Sequence, residues 1–481
     1  MRSRPGRRGG FAVIFLISSM GAQEPIFDRK LIQRFDIHGP RYTSYPTADR
    51  FVEAFSAANY RHWLASRDGL AASRPLSLYF HIPFCSTICY YCACNKIVTK
   101  DHGRSAKYLK YLDKEMALAT AVLSGSRAVE QLHWGGGSPS FLADDEMRRL
   151  MEMIRGHFQL LPDGEYAIEF DPRGARIETI QLLAELGFNR MSLGVQDFSP
   201  EVQQAINRRQ SLEETAYTMV AAREAGFKSL AIDLIYGLPK QNPISFNHTL
   251  DEVIRLGPDR LSIYNYAHVP NLAKAQRRIN EADLPAPETR LQILQLAIRR
   301  LTEAGYLYIG MDHFAKPDDE LAVAQRQGRL HRNFQGYSTH AEADLLAFGV
   351  SAIGKVGPSY AQNVRTLDDY YDRLDHGMLP VLRGIQLTAD DLLRRSIIQA
   401  LMCHFMLPIE AIETAHLIDF RSYFKTELAE LAAMEKEGLV TLDDQWIIVN
   451  PPGRLLVRAI AMVFDRYLRF DRERLRYSKV I

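Results

Sequence analysis

Four cysteines, Cys85, Cys89, Cys92 and Cys94, lie in one stretch of ten residues, C-S-T-I-C-Y-Y-C-A-C, directly after the strand-like run L-S-L-Y-F-H-I-P-F. Thiolates at i, i+4 and i+7 can converge on one side of a compact loop. Such a tripod can hold three irons of a cuboidal [4Fe–4S] cluster and leave the fourth iron open for chemistry. The competing chemistry is a structural zinc site, which would use all four thiolates in a tetrahedron. Zinc sites usually pair two C-x-x-C halves across a longer spacer. Here three, two and one residues intervene, so the iron–sulfur reading is preferred. Cys94 then stands outside the tripod, its thiol either available near a substrate or simply packed.

In the strand before this loop the side-chain period is two. Leu78, Phe80 and Ile82 share one face, while Tyr79 and His81 share the other and point towards the place where the cysteine loop folds back. Further on, W-G-G-G-S-P-S places Gly135, Gly136 and Gly137 at a strand end, where the missing Cβ atoms let backbone approach a ligand or turn with positive φ. The run has neither the G-x-x-x-x-G-K-[ST] nor the G-x-G-x-x-G form, so a nucleotide phosphate is not the expected ligand. Polar residues recur late in otherwise apolar strands: Glu169 in A-I-E-F-D-P, Gln196 in G-V-Q-D-F and Asp233 in A-I-D-L-I-Y-G-L-P. Each needs a partner if buried. A neighbouring loop could serve one of them, but three in successive strands argue for a cavity that holds a ligand rich in hydroxyl and amino groups. Arg208, in N-R-R-Q, can offer a planar fork to a carboxylate or form a surface ion pair. Cys403, in an apolar helical run, reads as core.

These residues need a scaffold, and the sequence supplies one. Between Leu76 and about Leu301, short apolar strands (S-L-Y-F-H-I, Q-L-H-W, Y-A-I-E-F, M-S-L-G-V, L-A-I-D-L-I, L-S-I-Y-N-Y) alternate with helical patterns such as Ala106–Leu123, Asp145–Phe158, Ile177–Leu186, Leu212–Ala225 and Glu288–Ala304. Repeated strand–helix units require a parallel sheet with right-handed crossovers, so the expected fold is α/β, an incomplete (β/α)6 barrel. Functional groups in such sheets gather at the carboxyl ends of the strands. The expected division is an N-terminal extension and arm over 1–58, a barrel domain over 59–305, and a mainly helical, winged-helix-like domain over 306–481. In that last part Asp390–Phe405 and Tyr423–Glu437 are helical, Gly438 stops the second, and L-V-T-L-D-D-Q-W-I-I-V forms a hairpin before a basic final helix.

Length and composition bound the rest. At 481 residues the chain exceeds one ordinary core, and Lys+Arg 59 against Asp+Glu 57 leaves a net charge of +2, which gives no general basic field for nucleic acid or membrane. The final basic stripe, Arg466–Arg476, is interrupted by Asp471 and Glu473 and reads as a solvated helix. Five cysteines, four of them crowded together, do not make a secreted disulfide framework and point to a cytoplasmic protein. Arg2, Arg4, Arg7 and Arg8 followed by apolar Phe11–Ile17 resemble a signal peptide; the preferred reading makes Met20 the start and 1–19 an upstream extension.

The motifs together resemble a known family. C-x-x-x-C-x-x-C is the radical S-adenosylmethionine (SAM) cluster motif. With R-Y-T-S-Y-P-T, Y-F-H-I-P-F-C, the fourth cysteine, W-G-G-G-S-P, I-D-L-I-Y-G-L-P-K-Q, N-Y-A-H-V-P and Y-S-K-V-I, the chain from about Ile32 onwards resembles the oxygen-independent coproporphyrinogen III oxidases. The resemblance implies that Cys85, Cys89 and Cys92 ligate the [4Fe–4S] cluster and that SAM closes the fourth iron. It implies two SAM molecules, one held by Tyr79, Gly135, Glu169 and Ile353, the other by Tyr91, Gly136, Gly137, Gln196, Arg208, Asp233 and Ala267. It also implies the chemistry: a 5′-deoxyadenosyl radical, formed when the reduced cluster cleaves SAM, starts the decarboxylation of two propionates of coproporphyrinogen III to vinyl groups. An unactivated propionate β-carbon has no acidic proton, so a base could not start this reaction. Tyr79, His81 and Cys94 are the candidates for support near the radical, and the arm around Arg41–Thr47 for a lid. The implied partners are the porphyrinogen and a reductant such as flavodoxin or ferredoxin, with no nucleic acid or membrane, and a monomer is expected. The rival reading within the superfamily is a haem-binding chaperone, a group without the fourth cysteine and the R-Y-T-S-Y-P-T arm.

Overall fold

The computed structural model describes residues 24–67, 74–341, 343–470, 477, 479 and 481. The expected extension at 1–19, and residues 471–476 of the expected final helix, lie outside them. The chain divides into two compact units.

The larger unit comprises Ala48–Arg300 and Glu342–Leu387. Its first six strands, β1 (Leu76–Ile82), β2 (Ala128–Gly136), β3 (Gln159–Phe170), β4 (Arg190–Gln196), β5 (Ser229–Tyr236) and β6 (Arg260–Asn265), lie side by side in chain order and are all parallel. The helices α1 (Gly103–Thr120), α2 (Asp144–His157), α3 (Ile177–Glu185), α4 (Leu212–Glu224) and α5 (Pro243–Leu256) supply the crossovers that parallel pairing demands. This is the incomplete (β/α)6 barrel the sequence predicts. In β1, Leu78, Phe80 and Ile82 are fully buried, which accounts for the choice of face for that strand.

The barrel domain does not end at 305. After the stretch 301–341 the chain returns as β7 (Asp344–Phe348), parallel to β1 on its free side, and continues antiparallel as β8 (Ile353–Val356), β9 (Ser359–Asn363) and β10 (Val381–Gln386). Phe348 stacks on Phe80 at 5.1 Å between ring centroids. This return is invisible locally because L-L-A-F is a short apolar run that could equally sit in a helix, and its pairing partner lies far away in sequence. Nor is 48–58 arm-like, since Val52 bridges to Gly384 within this unit.

A buried carboxylate anchors the returning segment. Glu115 of α1 accepts hydrogen bonds from Tyr370 Oη (2.5 Å), Asn363 Nδ2 (2.6 Å) and the Gly349 amide (2.8 Å).

The smaller unit holds 24–47, Leu301–Ala341 and the residues from Thr388 onwards. Helix α6 (Ala389–His404) starts with a Thr388 capping box. The strands β11 (Met406–Pro408), β12 (Val440–Leu442) and β13 (Trp446–Val449) form a three-stranded sheet in the order β11–β13–β12, with the expected hairpin closed by β12 and β13. Gly438, at φ 74°, ends the helix before that hairpin. In the R-Y-T-S-Y-P-T segment, Tyr42 and Tyr45 are buried in this unit's interior, Tyr42 Oη donating to Asp465 and Tyr45 Oη accepting from the Arg466 amide.

Glu115 yields a testable pH dependence. Burial lifts its carboxyl from 4.5 to about 7 against the pull of its three donors. Between those values the folded chain keeps a proton that the unfolded chain has released, so this contribution is complete below 4.5 and lost as pH rises through 7. The urea midpoint of the native protein, measured against a Glu115→Gln variant, should therefore fall between pH 5 and pH 8, by a difference on the order of 3 kcal/mol; an unchanged gap would show that the carboxyl is not buried as described.

Candidate functional site

The cysteine loop leaves β1 through a short bridge, Phe84–Cys85 pairing with Ile97–Val98, so the four thiols lie in a closed excursion at the strand's carboxyl end. Cys85, Cys89 and Cys92 line a single cavity of about 270 Å³, together with Lys96, Asp171, Arg173 and Arg208. All five cysteines of the chain are free thiols, and Cys94 is the exposed one. Among the described residues no three Cys, His, Asp or Glu side chains converge as for a single metal ion. Thiols spread around a cavity suit a cluster in which each sulfur binds a different iron.

Cations surround these sulfurs. Arg208 Nη1 lies 3.7 Å from Cys89 Sγ, and Lys96 Nζ donates to the Cys92 carbonyl at 2.9 Å. Asp171 fixes Arg208 (3.2 Å) and Arg173 (2.5 Å), and although burial works against its charge, the two guanidiniums hold its carboxyl below the usual range. The hydrogen bond from Cys94, helped by Lys96, lowers the Cys92 thiol to about 6, whereas burial pushes Cys85 up to about 12. Arg208 therefore faces the thiols and is not a surface ion-pair residue.

The loop is held from outside through its own peptide groups. Gln276, 1% exposed, donates from Nε2 to the carbonyls of Tyr91 (2.8 Å) and Ala267 (3.1 Å) while its Oε1 accepts from the Val269 amide (2.6 Å). Asn207 Nδ2 donates to the Ile88 carbonyl at 2.7 Å, and the Tyr90 amide donates to Ile206 at 2.9 Å. The rings of Tyr90 and Tyr91 pack on an apolar cluster of Val202, Ile206, Leu238, Tyr266 and Ile279.

Beside the loop, strand register assembles a polar row. Tyr79 pairs with His133, Glu169 with Ser192, and Asp233 with both Gly194 and Ser262. Tyr79 Oη lies 3.1 Å from His81 Nδ1, and His81 Nε2 lies 2.9 Å from the Asn95 carbonyl. Since a carbonyl only accepts, His81 carries its proton on Nε2 and accepts a hydrogen bond from the Tyr79 hydroxyl on Nδ1. Burial keeps this imidazole neutral by lowering its pKa. Tyr79 also stacks on His133, centroids 5.8 Å apart, and His133 Nε2 donates to Glu169 Oε1 at 3.2 Å. The other Glu169 oxygen accepts from the Gly136 amide at 3.2 Å. Burial opposes the charge on Glu169, yet these donors hold its pKa below normal. Asp233, by contrast, is raised by burial to about 6 and accepts from Ser192 at 3.0 Å.

The glycine run is closely packed, and Gly137 also lines the thiol cavity. A Cβ on Gly137 would sit 2.7 Å from Pro83 backbone, and Gly136 has φ 123° with His81 Nδ1 and the Ile82 carbonyl under 3 Å from the position of its missing Cβ. Gln196 is buried at φ 71°, at a bulge that ends β4. Of the other expected ligand-binding residues, Ala267 joins the site through its carbonyl, and Ile353 opens β8 paired with Gln362. The sequence reading missed His133, Asp171 and Gln276. Period two could have found the first two, since His133 precedes Gly135 by two and Asp171 follows Glu169 by two. Nothing in the sequence marks Gln276, whose partners are backbone atoms.

A parallel α/β barrel whose first strand runs into three cavity-lining cysteines defines a radical SAM enzyme. Residues 79–253 match the model of the radical SAM superfamily, and residues 387–456 match that of the HemN C-terminal domain. The chain is 54% identical over 457 residues to the oxygen-independent coproporphyrinogen III oxidase of Pseudomonas aeruginosa, covering 95% of this chain and 99% of the relative. It is 49% identical over 462 residues to that of Escherichia coli, covering 96% and 100%. The solved structure of the Escherichia coli coproporphyrinogen III oxidase, described as a radical SAM enzyme, superposes with a TM-score of 0.88 over 93% of this chain and all of that one. The chain belongs to the family of oxygen-independent coproporphyrinogen III oxidases. Its superfamily works with a [4Fe–4S] cluster and SAM, and the ring of free thiols among fixed cations fits such a cluster. Among the described residues no helix is long and apolar enough to cross a membrane.

Removing Gln276 tests the outer clamp. A Gln276→Leu variant should still take up iron and sulfide anaerobically but lose the cluster to a chelator several times faster than the native protein, followed by the decay of visible absorbance; equal decay would mean that the loop does not depend on it.

Proposed function

We propose that the protein converts two propionate side chains of coproporphyrinogen III to vinyl groups without oxygen, giving protoporphyrinogen IX. The observation that carries this reading is the separation of roles among four neighbouring cysteines: Cys85, Cys89 and Cys92 face one cavity, and Cys94 stands exposed beside them. In the net change, each propionate loses one β-hydrogen, one carbon dioxide and one further electron. The cluster and SAM, when bound, supply a 5′-deoxyadenosyl radical able to take that unactivated hydrogen.

The chain's own residues do the holding. Cys85, Cys89 and Cys92 are the cluster ligands in this reading. Tyr79, Gly135, Glu169 and Ile353 hold the first SAM, Glu169 offering a carboxylate already ionised by His133 and the Gly136 amide. Tyr91, Gly136, Gly137, Gln196, Arg208, Asp233 and Ala267 hold a second. Tyr79, His81 and Cys94 support the reacting centre, with Tyr79 locked as a hydrogen-bond donor to a neutral His81. The partners are coproporphyrinogen III and a protein reductant such as flavodoxin or ferredoxin.

Anaerobic incubation with coproporphyrinogen III, SAM and dithionite tests the proposal. Two carbon dioxide molecules and one divinyl product per substrate are expected; haem binding without carbon dioxide release would favour the chaperone reading. Cys85→Ser, Cys89→Ser and Cys92→Ser should each abolish cluster assembly, read as iron per chain. Cys94→Ser should keep its iron and lose product formation by a factor of about 10² or more.

A further inference from the structure

Cys85, Cys89 and Cys92 line one cavity, and the loop that carries them is backed on its other side by a wall of the same unit. That wall has an unusual outer surface. The short 3-10 helix Lys274–Arg278 turns Ala275 and Gln276 inwards and leaves Lys274, Arg277 and Arg278 exposed, with Leu272 beside them at 85% exposure. From this helix Gln276 reaches the Tyr91 carbonyl, and the Arg278 guanidinium lies over the Tyr90 ring at 5.4 Å. Tyr90 and Tyr91 are the two residues between Cys89 and Cys92. The surface and the thiols are therefore joined by one hydrogen bond and one cation–ring contact.

Among the described residues no carboxylate pairs with these three cations. Arg277 Nε donates to the Pro270 carbonyl, and Glu281, the nearest acid along the chain, is bonded to His268 at 3.1 Å. A chain of net charge +2 thus concentrates three cations on five residues directly behind its thiols. Exposed cations around an exposed aliphatic side chain suit an acidic protein partner, with charge steering the encounter and leucine giving a dry contact. Nucleic acid fits less well, since three cations on one short turn make no stripe along a phosphate backbone.

We infer that Leu272, Lys274, Arg277 and Arg278 form the docking face for an acidic one-electron carrier protein that reduces the cluster. This rests on the function proposed above and adds where its reductant binds. One electron leaves the reduced carrier and enters the oxidised cluster; no bond within this chain is made or broken.

The test uses the reconstituted enzyme and a Lys274→Glu/Arg277→Glu variant, which spares Arg278 and its contact with Tyr90. Bleaching of the cluster's visible absorption is timed with reduced flavodoxin and, separately, with dithionite, and flavodoxin affinity is measured by titration. At low salt the variant should bind flavodoxin and be reduced by it about tenfold or more weakly and slowly, while its dithionite rate is unchanged and the native flavodoxin rate falls with added salt. An unchanged flavodoxin rate, equal slowing with dithionite, or tighter binding of duplex DNA than of flavodoxin at the native face would each overturn the docking face. A native protein with no bleachable absorption would instead sink the cluster reading, and the docking face with it.

Discussion

Everything at this site depends on keeping three thiols apart around one cavity. Free cysteines this close in sequence could pair or collapse onto one ion, and the backbone between them has no regular structure to resist it. The resistance comes from bonds to the loop's peptide groups: Gln276 on Tyr91, Asn207 on Ile88, Ile206 on Tyr90. Lys96 complements this electrostatically by helping to lower the Cys92 thiol, and Arg208 sets a guanidinium beside Cys89 Sγ. Asp171 keeps the arginines aimed, so the charge pattern is as fixed as the backbone.

The second constraint is parallel register. Side chains two residues apart share a face, and neighbouring parallel strands bring single polar residues from six segments together, as direct pairs at Tyr79–His133, Glu169–Ser192 and Asp233–Ser262. Tyr79, His133, Glu169, Ser192, Asp233 and Ser262 come from six strands, and their bonds run mainly to one another. Two carboxylates in this row behave oppositely: Glu169 has donors that offset its burial, while for Asp233 burial prevails. The row thus carries one ready anion and one group closer to neutrality.

Much of this was legible in the sequence. The six strands, their order and the face that Tyr79 and His81 share follow from alternation and from the handedness of crossovers. The cysteine spacing separated the three cavity thiols from Cys94. Less was legible where the determinants are distant or lie in the backbone. The strands β7 to β10 join the sheet because Phe348 meets Phe80 and because Glu115 reaches Tyr370, contacts that no local window contains. The glycine run was read as a close approach or a turn with positive φ; Gly136 has that φ and Gly137 lines the thiol cavity, while the partners packed against the run, Pro83, His81 and Glu169, could not be read from the sequence. Gln276 could not be singled out, since any glutamine in a loop looks alike until its partners are known.

The pairing of β1 with β7 has a consequence for how the molecule is made. Leu76 meets Asp344, so the two strands are separated by more than half of the chain. During synthesis one long edge of the nascent sheet, bearing the very strand that leads to the cysteines, stays unpaired until the ribosome has delivered nearly three quarters of the polypeptide. Non-local parallel pairing is slow, and an open strand edge invites association with other chains in the meantime. The loop that carries the cysteines thus hangs from a strand whose second neighbour is made only after the six strands of the barrel.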